Sequence, residues 1–351
     1  LRANFVANPF LTAAGSYLAL LQGSTYAESG FARMAVTANG SFTATFTLGG
    51  SNSRVVSNAF NHQGQYQGEF EVPGGGLYNA NLSLTAGAVL TGTLTSQGDG
   101  SQIALSAERP ATRADAALAG TYTVVLPVPP GNNASLPGGN GYGSLTVSKT
   151  GVVKFTGKLG DGLAVSLAGS LDSNGIWHFL FFKAASKTTF GELLLGSVAF
   201  PPAASGTAGT LSWYRTAQVN NPYPAGFATS VPFVIGTYSA PAVSYPSADL
   251  TFSGADAFAS VTKTVGVSVR GKVDTITYSL PNTGLNRIIV NFTAATGLFS
   301  GTFVDNSVTR AFSGAVLHNG SYGLGQFQDA TGQTGAVLLE PTPVVEAAII
   351  H

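Results

Sequence analysis

Strict alternation of apolar and polar side chains, cut at short intervals by glycine-bearing turns, constrains this chain more than any other feature. From Gly143, Leu145 and Val147 share one face while Ser144, Thr146 and Ser148 share the other. Val153, Phe155, Gly157 and Leu159 then alternate with Lys154, Thr156 and Lys158, and Leu163, Val165, Leu167, Gly169 and Leu171 continue the pattern. A period of two belongs to a strand, whose successive side chains point to opposite faces of a sheet. The runs meet at Lys149-Thr150-Gly151, Gly160-Asp161-Gly162 and Ser173-Asn174-Gly175. Such residues supply the positive φ that tight hairpins need. The segment reads as an antiparallel meander.

The same ladder occurs three times. Its turn glycines pair as Gly40/Gly64, Gly151/Gly175 and Gly297/Gly320, spaced 24, 24 and 23 residues apart. Two residues beyond each second glycine stands an aromatic, Tyr66, Trp177 or Tyr322, expected to be buried on one common face. Apolar residues precede it at fixed offsets: Phe60 and Val56, Leu171 and Leu167, Val316 and Phe312. A second anchor leads each copy: Gly15-Ser16-Tyr17, Gly120-Thr121-Tyr122 and Gly236-Thr237-Tyr238. In the third copy it lies much further upstream, so extra strands are expected at 250–254, around Val265–Val269 and around Thr275–Leu280. The division that follows is a first β unit over 1–110, a linker over 111–119, a second unit over 120–216, a Pro-rich linker over 217–234, a third unit over 235–341 and a tail over 342–351. The first linker holds the one short helix the pattern suggests. Gly157, Gly169, Gly301 and Gly314 fall on inward positions, where the missing side chain lets a strand bend. The predicted class is all-β, with tandem antiparallel meander units forming small barrels or strongly curved sheets and almost no helix.

Composition excludes several functions. Lys+Arg and Asp+Glu number 16 each, and charged residues make up 9% of the chain, against about 25% in ordinary soluble proteins. Positive charge this sparse and unclustered does not neutralise a run of phosphates, so no nucleic-acid partner is expected. No run of apolar residues is long enough for a transmembrane helix. Because the sequence begins at Leu1 rather than Met, a removed leader or larger upstream region is expected. Cys is absent, which removes disulfides, thiolate metal sites and Cys nucleophiles. His62, His178, His318 and His351 are too scattered for a His-based metal centre. Neither a metal nor a cofactor is expected.

Catalytic templates find no support either. The chain has no nucleophile elbow, Walker loop, zinc-protease helix or dinucleotide fingerprint. Gly139-Asn140-Gly141-Tyr142-Gly143 is glycine-rich but precedes a strand, whereas phosphate loops open helices. Asp161 and Asp172 bracket one hairpin strand and fall near its opposite ends, which does not suit a glycosidase pair. His178 reads as a satisfied strand histidine, and Asp172-Ser173-Asn174-Gly175 as a turn. The aromatic residues Trp213, Tyr214, Tyr223 and Tyr142 are the candidate contacts for a ligand or partner, since flat exposed rings stack on sugar faces. The competing reading has Trp213 closing a barrel end with Tyr223 packed on it.

The stretch GNGYGSLTVSKTGVVKFTGKLGDGLAVSLAGSLDSNGIWHFLFF (139–182), followed by GTLSWYRTAQVNNPYPAGF (209–227), resembles a β-rich C-terminal module of very large secreted or surface proteins in verrucomicrobial and related bacteria. The ending GLFSGTFVDNSVTRAFSGAVLHNGSYGLGQF with GAVLLEP (297–341) is similar to the last part of that module. The resemblance covers most of 118–341; in 1–117 it rests chiefly on LTGTLTSQGDGSQIALSAERP (90–110). It implies export and a place at the end of a long chain, and it implies no reaction. The expectation is therefore a non-enzymatic extracellular structural or adhesion module. Its expected partners are further copies of itself or neighbouring domains of a parent chain. A polysaccharide-binding module is the alternative, and a glycan-active enzyme the third reading.

Overall fold

The computed structural model describes residues 8–49, 53–74, 76–110, 116–128, 135–186, 190–201, 206–219, 222–239, 244–254, 259–270, 273–317 and 322–342. Among the described residues, twenty-four strands, all paired antiparallel, account for nearly all regular structure. The first eight are β1 (Gly15–Leu21), β2 (Gly30–Val36), β3 (Ser41–Leu48), β4 (Arg54–Ala59), β5 (Gln65–Val72), β6 (Gly76–Leu84), β7 (Val89–Ser96) and β8 (Gln102–Glu108). They form two four-stranded sheets, β1 to β4 and β5 to β8, around a single core. The next eight are β9 (Gly120–Leu126), β10 (Gly141–Val147), β11 (Val152–Lys158), β12 (Ala164–Ser170), β13 (Ile176–Lys183), β14 (Glu192–Ala199), β15 (Thr207–Arg215) and β16 (Phe227–Thr237). The last eight are β17 (Ser244–Ser253), β18 (Val261–Arg270), β19 (Val273–Tyr278), β20 (Ile288–Thr293), β21 (Leu298–Asp305), β22 (Val308–Leu317), β23 (Tyr322–Gln328) and β24 (Thr334–Pro341).

The second and third sets each curl into a nearly closed eight-stranded barrel. Closure comes from pairing first strand with last: β9 with β16 through Val125↔Val234, and β17 with β24 through Leu250↔Leu339. Each barrel stays open along one seam, between β12 and β13 in the second and between β19 and β20 in the third. Leu145, Val147, Val153, Phe155, Val165 and Leu171 enter the second core, and Lys154, Thr156 and Lys158 remain outside, as the alternation requires. Burying such rows yields roughly 25 cal/mol per Å² of apolar area, the main return against backbone entropy in a chain without disulfides. Curvature is visible at Gly301, where a Cβ would stand 1.8 Å from the Ile289 carbonyl oxygen; only a residue without a side chain lets β20 and β21 approach so closely.

The repeated turn glycines hold equivalent places. Gly40, Gly151 and Gly297 have φ of 84°, 78° and 70° in the β2–β3, β10–β11 and β20–β21 turns. Their carbonyls accept from Phe60, Leu171 and Val316 N–H at 3.0, 2.9 and 2.9 Å. Two expectations need correction. Tyr66 and Trp177 are core residues, but Tyr322 lies on the opposite face, packed between the second and third barrels. Leu171 pairs with Trp177 across five residues, whereas its equivalent Val316 pairs with Gly323 across six; one residue more puts Tyr322 on the other face. The glycine of that turn, Gly320, lies outside the described residues, as do His318 and His351.

The third anchor is also misplaced. Gly15 and Gly120 open β1 and β9, and their tyrosines donate to carbonyls four residues back, Tyr17 to Ala13 at 2.5 Å and Tyr122 to Leu118 at 2.8 Å. Gly236-Thr237 instead ends β16, and the Tyr238 hydroxyl donates to Ala294 at 2.7 Å. The expected linker over 217–234 thus contains the start of β16, the strand that closes the second barrel. Strands β17, β18 and β19 occupy the places expected for the extra strands. Within the expected first linker, Ala116–Leu118 forms a single 3-10 turn, and a short helix at Phe10–Ala13 was not anticipated.

Candidate functional site: a buried polar knot at the end of the second barrel

Alternation places Trp213 and Arg215 on the inward face of β15, and pairing sets Glu192 of β14 opposite Arg215 and Lys183 of β13 opposite Glu192. At this end the barrel is therefore filled by charged residues. Asp161 comes from the turn joining β11 and β12, where its Oδ1 accepts the Leu163 N–H at 3.0 Å. Its Oδ2 receives Arg215 Nη1 at 2.8 Å, with 3% and 2% of the two side chains exposed. The guanidinium carbon lies 3.6 Å from the Phe190 ring centre and 5.0 Å from that of Tyr223, and Lys183 Nζ lies 3.5 Å from Phe190. Cation–π contact stabilises charge that water no longer reaches. Glu192 Oε1 accepts the Trp213 indole N–H at 2.7 Å, while Oε2 has no hydrogen-bond partner among the described residues.

Burial dominates the protonation of both carboxyls. It pushes Asp161 up, opposed by the Leu163 N–H and the Arg215 charge. Glu192 is pushed up to about 8, by burial first and then by the neighbouring Asp161 charge; the Trp213 hydrogen bond, Arg215 and Lys183 act against it. Tyr26, packed over Gly191 from the first unit, is raised to about 12 by burial and then by Glu192. Burial thus biases Glu192 toward its protonated form.

The knot ties the units together. Tyr223 OH and Thr334 Oγ1 of β24 are 3.0 Å apart, and Thr334 Oγ1 donates to the Gly160 carbonyl at 2.6 Å. Gly139 N–H donates to the same Oγ1 at 3.1 Å, and Gln326 Nε2 donates to the Leu159 carbonyl at 2.7 Å. Toward the first unit, Tyr214 OH donates to the Gly23 carbonyl at 2.6 Å, beside apolar packing of Leu20 on Leu193 and Leu195. A perturbed acid pair inside a cleft would suggest catalysis. Here the carboxyls are enclosed, with Glu192 fully buried, so a substrate has no approach to them.

A second constellation lies on the outer face of the same barrel. Ser197 Oγ is 3.3 Å from His178 Nδ1, and His178 Nε2 is 3.9 Å from Asp172 Oδ2. A nucleophile–base–acid relay needs both contacts near 2.6–3.2 Å. Asp172 Oδ1 accepts the Asn174 and Ile176 N–H groups at 2.9 Å each, so this carboxylate organises the 172–176 turn. Ser197 is directly opposite His178 in the β13–β14 ladder, and the pair is an ordinary cross-strand contact.

The four aromatic residues singled out as ligand contacts are corrected by burial. Trp213, Tyr214, Tyr223 and Tyr142 are 2%, 6%, 2% and 7% exposed, so none offers a ring face to a sugar. Trp213 and Tyr223 both pack edge-on against Phe227 at 5.0 and 5.8 Å, the barrel-end plug of the competing reading. Tyr214 and Tyr142 lie outside the barrel core but under the first and third units. Alternation could not reveal this, because an outward position is covered when another unit docks on it. Glu192 and Arg215 had a legible signal that went unused: each is a charge in phase with an inward apolar row. His62 is exposed, and Asp161 and Asp172 sit beyond opposite ends of β12.

No family model matches the chain, and no curated protein sequence matches it. Among solved structures it is similar to transferrin binding protein B of Haemophilus parasuis, described as a vaccine antigen, at 12% identity and a TM-score of 0.24 over 93% of this chain and 74% of that one. The intact Ap-TbpB structure, with N and C lobes, matches at 12% identity and a TM-score of 0.24 over 93% and 75%. Resemblance at that level assigns neither an activity nor a ligand.

Proposed function

We propose that the chain is a non-enzymatic structural or adhesion module of a larger exported surface protein, of the verrucomicrobial kind its 139–182 and 297–341 segments resemble. The observation that carries this reading is where its polar chemistry goes. Asp161, Glu192 and Arg215 are spent on one another at the closed end of the second barrel, and Tyr223 and Thr334 on joining that barrel to the third, all inside the molecule. Few charges and abundant small hydroxyl side chains leave a neutral, unreactive exterior. Neighbouring domains of the parent chain, or further copies, are the partners such an exterior suits. The test is surface labelling of intact cells that make the parent protein. A membrane-impermeant amine reagent should modify the exposed Lys149, Lys154 and Lys158 before lysis. Labelling only after lysis refutes export.

A further inference from the structure

In the first unit, between β4 and β5, a groove of about 470 Å³ is lined by Asn58, Phe60, Asn61, Gln65, Tyr66 and Gln67. Its volume lies within the range of small-ligand sites, roughly 300–1,000 Å³. Among the described residues, no Asp, Glu, Lys or Arg lines it. Four primary amides meet there instead, from β4, from β5 and from the turn that joins them. Asn61 Oδ1 accepts the Gln63 and Gln65 N–H groups at 3.0 and 2.9 Å, which orients its Nδ2 toward Gln65 Oε1 at 3.4 Å. Asn58 Oδ1 accepts the Ala59 N–H at 2.9 Å, and its Nδ2 remains as a donor. The groove continues onto the outer face of β5 to β8. Register sets Ser83 and Thr91 beside Gln65, and Asn81 and Thr93 beside Gln67. These rows lie about 7 Å apart along the strands, with neighbours about 5 Å apart across them. Gln65, Gln67, Asn81 and Thr91 are exposed, and the units dock on one another through other faces. At the far end of the face, Gln97 Nε2 donates to Glu69 Oε1 and Asn79 Oδ1 at 3.0 and 3.1 Å, which engages the carboxylate of that row. A face that only meets water is ordinarily dressed with Lys and Glu.

We infer that this groove binds a neutral polysaccharide, held by amide side chains rather than by stacked rings. A sugar hydroxyl both donates and accepts, and so does a primary amide, whereas a carboxylate only accepts and an ammonium only donates. The four amides seat one sugar ring, and Phe60 and Tyr66 offer apolar atoms beneath it. The Ser83–Thr91 and Asn81–Thr93 rows meet the sugars that follow along the chain. Because Asn61 is already held in place, less side-chain freedom is lost on binding. This binding belongs to the folded chain in solution and does not rest on export.

The experiment is a glycan array of neutral glucans, mannans, galactans and xylans beside uronate- and sulfate-bearing glycans, probed with the labelled full chain. Affinity electrophoresis against the best-bound polysaccharide follows. Binding confined to neutral glycans is expected, weakened roughly tenfold or more in the double variant Asn58→Ala/Gln67→Ala, which removes two of the amides. Both residues are exposed, so the variant keeps the thermal midpoint of the wild type, which separates a lost contact from a lost fold. No bound neutral glycan, a preference for charged glycans, or equal retardation of wild type and variant overturns the inference. So does sedimentation showing a dimer that the double variant dissociates, because a second copy then covers the face.

Discussion

Replacing Glu192 by Gln tests whether the carboxyl at the barrel end is stored as an acid. Its ordinary value is 4.5 and burial carries it to about 8. Between these values the folded chain keeps a proton that the unfolded chain has released, so stability is full below the lower value, falls as pH rises and levels off above the upper one. Each pH unit in that window costs about 1.4 kcal/mol, so this one group removes roughly 3 kcal/mol between about pH 5 and 7.5. Asp161, also raised, slopes the same way. The Gln side chain keeps an acceptor for the Trp213 N–H and cannot ionise. Urea unfolding followed by fluorescence suits the measurement, because both tryptophans are buried in the same core. The variant should be more stable than wild type by about 2–4 kcal/mol near pH 8, with the difference vanishing near pH 5. An equal difference at both pH values, or a variant weaker at pH 8, refutes the argument.

Arg215→Met should cost about 3–5 kcal/mol, since it strands Asp161 buried without its partner, and thermal unfolding at neutral pH reads the loss. Thr334→Val removes the hydroxyl shared by Tyr223, Gly139 and Gly160. A loss of about 1–3 kcal/mol is expected, with calorimetry resolving the third barrel as a separate transition. Retention of one transition would mean that apolar contact alone couples the barrels. Gly301→Ala forces a methyl into the Ile289 carbonyl and should speed proteolysis within the β20–β21 hairpin; an unchanged digestion pattern would count against close strand approach there.

The all-β class, the meander over 143–171 and the hairpin glycines were legible because they are local: a period of two and a positive-φ turn are written in neighbouring residues. Phe155, Val153 and Leu145 needed no structure to be placed inside, nor did Lys154 and Lys158 to be placed outside. Tyr322 shows where local reading stops, since a connection one residue longer reverses the face of all that follows while leaving the pattern intact. Which strand closes on which was beyond it too, because the β9–β16 pairing joins residues more than a hundred positions apart. Composition and alternation belong to single strands, and they set the fold class of this chain. Only the docking of one unit on another decided that Tyr142 and Tyr214 are interior, and only the closing of the second barrel that Asp161, Glu192 and Arg215 meet in its buried end. Burial is a property of what lies across a gap, and no single strand encodes its neighbour.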